Sequence, residues 1–186
     1  DGCSSALALS GLVIADIDAT LAPGGIYSVT LTAGHGTLTL GTSSGLTFDT
    51  GSASAATMTF HGTLTSINAA LLTARYAGNA NYNGTDTIAF SVTDSFNNVV
   101  ATGTGNATTD SKSIGVTVIA ANDPISVAAP ASVSIAEDAS VGVSGLSISD
   151  VDATLAPNDL YSVTLAAGHG TLTLGTTTGL TFDNST

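Results

Sequence analysis

The segment Gly11–Asp49 reads GLVIADIDATLAPGGIYSVTLTAGHGTLTLGTSSGLTFD, and Gly145–Asp183 reads GLSISDVDATLAPNDLYSVTLAAGHGTLTLGTTTGLTFD. The offset is 134 positions throughout, and the differences are conservative or fall in turns, such as Gly24-Gly25 against Asn158-Asp159. Self-similarity at a fixed long period marks repeated structural units. Inside each copy the pattern is that of strands. Ile26–Thr32 (IYSVTLT) alternates apolar and polar residues, and Thr37–Leu40 (TLTL) follows after Gly34-His35-Gly36. Such alternation around a glycine-rich turn predicts a β-hairpin.

Outward from this segment the same reading holds. Leu7–Ile14 alternates as a half-buried strand, Leu46–Phe48 is a short strand, and Ala56–Phe60 begins another. Ser66–Thr73 (SINAALLT) is the one helical piece, with Ser66 as a cap and Ile67, Ala70 and Leu71 on one face. Asp86–Thr93 (DTIAFSVT) places Ile88, Phe90 and Val92 inward. Val99–Gly103 is a short strand, and Lys112–Ala120 a closing strand with Ile114, Val116 and Val118 on one face. Asn122-Asp123-Pro124 breaks the pattern, because proline cannot donate to a ladder. The expected organisation is a first repeat over residues 1–121 lacking its first strand, a linker at 122–124, and the first half of a second repeat over 125–186. Ile125–Ala136 (ISVAAPASVSIA) supplies the opening strand of that second repeat. The period is somewhat longer than a standard sandwich domain of about 100 residues.

Composition narrows the function classes. Hydrophobic residues make up 43% of the 186 and charged residues 9%, a balance too apolar for a disordered chain. Fourteen acids face two basic residues, Arg75 and Lys112, for a net charge of −12. That sign disfavours nucleic acid and anionic membrane surfaces as partners. No apolar run is long enough for a transmembrane helix, so no membrane insertion is expected. Cys3 alone makes no internal disulfide. His35 and His169 each sit between two glycines in a turn, with no second histidine or cysteine beside them in sequence. There is no tryptophan to line a sugar cleft. An enzyme is not expected.

The runs AGNANYNGTDTIAFSVTD (Ala77–Asp94), KSIGVTVIAANDPI (Lys112–Ile125), VSIAEDA (Val133–Ala139) and GLSISDVDA (Gly145–Ala153) resemble bacterial cadherin-like tandem repeats of large secreted, RTX-type adhesins. The resemblance covers essentially the whole chain. It implies an all-β fold of Greek-key, Ig-like or cadherin-like β-sandwich repeats in tandem, with at most one short helical turn per repeat. It also implies Ca²⁺ at the domain junctions, a cation that takes six to eight oxygen ligands from flexible loops. The residues matching that pattern are Asn122 and Asp123 in the linker, Glu137 and Asp138 early in the second repeat, and the Asp-x-Asp pair Asp150 and Asp152. Asp16 and Asp18 are the counterparts of that pair in the first copy, where Cys3 and Ser4 replace Glu137 and Asp138. Asp94 ends the strongest strand near the same end. The plain alternative for Asp-Ile-Asp and Asp-Val-Asp is a strand with the aliphatic residue inward and both acids in water.

The function so implied is a calcium-rigidified extension module of an extracellular bacterial adhesin or surface filament. Its partners would be neighbouring repeats, identical chains in a filament, and a host or biofilm receptor. Two other readings stand beside it: a carbohydrate- or protein-binding module, and a fibre subunit assembled by strand complementation.

Overall fold

A computed structural model describes residues 6–17, 19, 22–94 and 109–183. The chain divides into two compact units, Asp1–Asp152 and Ala153–Thr186.

The first unit is all-β with one helix. Its strands are β1 (Leu7–Ala8), β2 (Ile26–Ala33), β3 (Gly36–Leu40), β4 (Leu46–Thr50), β5 (Ser54–Ala55), β6 (Thr57–Thr63), β7 (Ala74–Gly78), β8 (Gly84–Thr93), β9 (Thr109–Val118), β10 (Ser126–Ala128) and β11 (Ser147–Ser149). The helix α1 (Leu64–Leu71) lies between β6 and β7. Five strands form one antiparallel sheet in the order β4-β6-β2-β8-β9, and four form a second, β1-β7-β3-β5. β10 pairs with β11 alone.

Both larger sheets bury alternate residues in one core. Val29, Leu31, Met58, Phe60, Ile88 and Phe90 come from the five-stranded sheet, and Leu38, Leu40, Ala74 and Tyr76 from the four-stranded one. The period-two pattern therefore works as anticipated for β2, β3 and β8. The expected hairpin does not form. β2 pairs with β6 and β8, whereas β3 pairs with β5 and β7, so the Gly34–His35 turn carries the chain from one sheet to the other. Its amides are not satisfied across a ladder. The N–H of Gly34 and of His35 both donate to the Asp86 carboxylate, at 3.1 and 2.9 Å. The chain then alternates between the sheets through β4, β5 and β6, and between β5 and β6 Ala33 donates to the Ala56 carbonyl at 2.8 Å.

The helix is present but starts two residues earlier than expected. Thr63, not Ser66, is the cap: its hydroxyl oxygen accepts from the Ser66 N–H at 3.3 Å. Ile67, Ala70 and Leu71 face the core and are fully buried. The leading segment differs more. Only Leu7–Ala8 is a strand, although Leu9, Leu12 and Ile14 are buried. Asn68 of α1 takes the place of a neighbouring strand there. Its amide accepts from the Ile14 N–H and donates to the Ile14 carbonyl, each at 2.9 Å. The expected strand Val99–Gly103 lies outside the described residues.

In the second unit the short 3₁₀ turns Ala153–Leu155 and Pro157–Asp159 are the regular elements among the described residues. Val29 is 0% exposed, while its repeat counterpart Val163 is 59% exposed. In the first copy β6 and β8 flank β2; among the described residues no strand pairs with residues 160–183.

Candidate functional site

The β2 strand starts with Ile26 and then turns Tyr27 inward, at the end of the five-stranded sheet where Asp16 enters from the preceding loop. The Tyr27 hydroxyl donates to Asp16 Oδ2 at 2.7 Å. Asp94, just past β8, and Asp110, on β9, line the same cleft, with Ile14 and Val92 as its apolar wall. The cleft is small, about 110 Å³, well below the few hundred Å³ typical of small-molecule pockets. Burial raises the Tyr27 pKa above the ordinary phenol range, and the hydrogen bond and charge of Asp16, with the charge of Asp94, push the same way. Asp110 is held below the usual carboxylate range by Lys112, whose ammonium lies 3.0 and 3.1 Å from its two oxygens, and by the Ser111 N–H.

The structure thus brings Asp16 and Asp94 to one cleft. Asp18 lies outside the described residues. A second group gathers at Asp123. The Asp123 N–H donates to Asp152 Oδ2 at 2.6 Å, and the Asp152 N–H donates to Asp150 Oδ1 at 2.9 Å. The Asn122 side chain donates to the Asp123 carbonyl at 3.1 Å. Glu137 and Asp138 form an exposed turn, with Asp138 in the left-handed region at φ 61°. Among the described residues, no three histidine, cysteine or acidic side chains converge as a metal-binding group.

The Asp-x-Asp motif adopts neither the strand geometry nor the orientation expected of it. Ile17 is 99% exposed and Val151 is exposed, while Asp152 is buried and Asp16 half-buried. The segment turns rather than extends, so the aliphatic residue points to water and the acids accept local hydrogen bonds. Short acidic side chains compete in this way with regular structure.

Sequence reasoning missed the most buried acid. Asp86 is 5% exposed and accepts from the Tyr76 hydroxyl at 2.7 Å, the Thr87 N–H at 2.7 Å and the two turn amides. His35 Nδ1 lies 3.5 Å from it, and the His35 ring stacks on Tyr82 at 4.1 Å. The signal was available: Asp86 stands two residues before Ile88 and so shares its inward face. Tyr27 and Asp110 were also passed over, although alternation from Val29 places Tyr27 inward. Every buried side-chain polar atom among the described residues has a partner.

Residues 23–101 are similar to the Protein GAMETE EXPRESSED 2 domain. The matched stretch is less than half of the 186-residue chain and runs from β2 through β8. No curated protein and no solved structure matches the chain.

This match overturns the bacterial reading. The model that matches is that of a gamete-expressed protein's domain, not of a cadherin-like repeat of RTX-type adhesins. The extension module of a bacterial adhesin or filament is corrected accordingly, and the binding-module and strand-complemented fibre readings gain no support. Calcium binding, as part of that description, also gains none. The physical reason is that alternating strands, Asp-x-Asp turns and Asn-Asp-Pro breaks follow from sandwich construction in general. They report architecture, not lineage.

Proposed function

We propose that this chain is a non-catalytic β-sandwich portion of a gamete-expressed protein, displayed outside the cell and built from tandem Greek-key, Ig-like repeats. The observation that carries the reading is the family match over residues 23–101, which takes in β2 through β8 and most of the buried core. The 134-residue repeat supports the tandem arrangement. The buried chemistry supports a non-catalytic role: Asp86, the most buried acid, is spent on holding a turn and the Tyr76 hydroxyl. A charge of −12 on a chain poor in basic groups favours solubility.

The test is where the protein is made. Quantifying the tryptic peptide Tyr76–Lys112 by mass spectrometry across tissues of the source organism should find it enriched in gametes. Uniform abundance across tissues, or absence from gametes, would sink the reading.

A further inference from the structure

The two main sheets have four edges, and three are blunted. β1 and β5 are two residues long, and β4 is five residues long with a register shift between Phe48 and Thr50. β9 is different. It is ten residues long, pairs with β8 in unbroken register from Thr109 to Val118, contains no proline, and has no strand on its outer side among the described residues. Shortness, bulges, proline and unpaired lysines are the usual protections against edge-to-edge pairing. β9 carries one lysine, and Asp110 neutralises it.

We propose that β9 is a self-association edge, and that its occupant is β9 of a second copy of this chain in an antiparallel, two-fold pairing. Charge complementarity selects the second copy. Lys112 is one of only two basic residues in the chain, and it stands two positions from Asp110 on the same face of the strand. When Ser111 lies opposite Ser111 of the second copy, each Asp110 lies directly opposite the other copy's Lys112. The Ser111 N–H donates to its neighbour Asp110 at 2.8 Å, and the proposed pairing turns the odd-numbered amides to the open side. Ser111 and its neighbours two away then exchange backbone hydrogen bonds. Asp110 and Lys112 occupy the non-hydrogen-bonded positions, where facing side chains approach most closely. Such an isologous contact closes on itself and gives a dimer, not a fibre. The proposal goes beyond the gamete-surface reading and does not depend on it.

Sedimentation velocity of the whole chain over a wide concentration range tests it. The wild type should pass from monomer to twice the monomer mass as concentration rises. Lys112→Glu sets like charges opposite each other and should weaken dimerisation about tenfold or more. Both side chains are exposed, so folding is unaffected. The double change Asp110→Lys with Lys112→Glu restores complementarity and should restore the dimer. A wild type that stays monomeric overturns the proposal, and so does a Lys112→Glu variant that dimerises as well as the wild type.

Discussion

Asp86 receives hydrogen bonds from Tyr76, Gly34, His35 and Thr87, and so ties β7, β8 and the turn between sheets to one carboxylate. Burial acts to raise its pKa, but the hydrogen bonds from Tyr76, His35 and Thr87 win, and the group is lowered from 3.8 to about 2. The unfolded chain therefore binds the proton first as pH falls. Its contribution is complete above about pH 4 and disappears as pH falls through about 2. Asp86→Asn should cost about 2 kcal/mol at neutral pH. The difference in melting temperature between variant and wild type should shrink between pH 4 and pH 2. A constant difference across that range would contradict this account. Gly36 belongs to the same cluster. A Cβ there would collide with the Tyr76 ring and lie 2.6 Å from the Ala77 carbonyl oxygen, so Gly36→Ala should push Tyr76 off Asp86 and melt well below the wild type in a thermal scan.

At the scale of elements, α1 shows how a short helix survives. Eight residues are too few to be helical alone. The Thr63 cap and the burial of Ile67, Ala70 and Leu71 hold it against the core. Thr63→Ala should cost about 1 kcal/mol, and Ile67→Ala about 3 kcal/mol, in chemical denaturation. Equal effects from the two changes would mean that packing is not what holds the helix. These elements also show what was legible in the sequence. Ile88, Phe90 and the Ile67–Leu71 face could be read because burial and periodicity agree there. The β2–β3 corner could not, since a glycine turn looks the same whether its strands pair or part; the acceptor that separates them, Asp86, lies 51 residues further on than His35. Nor could the Asp-x-Asp turn, where local hydrogen bonding overrides period two. For the candidate site, Asp16 and Asp94 each stood out in the sequence, but nothing there paired them. Their meeting point, Tyr27, was hidden inside a strand that read as core.

For the whole molecule, the repeat provides an internal control. Nearly identical sequences sit in different surroundings: Leu31 and Leu38 are buried, while Leu165 and Leu172 are exposed. Burial follows from the flanking strands and not from the local sequence, as expected when non-local pairing stabilises a sheet. Hydrogen exchange should therefore protect the amides of 26–40 far more than those of 160–174. Equal protection would contradict the account. The central claim concerns what the protected domain is for. The most direct measurement is labelling of intact and permeabilised gametes with an antibody raised against β2–β8. Bright labelling of intact gametes is the predicted result. Labelling that appears only after permeabilisation, or only on other cells, would contradict the claim that this is an exterior domain of a gamete-expressed protein.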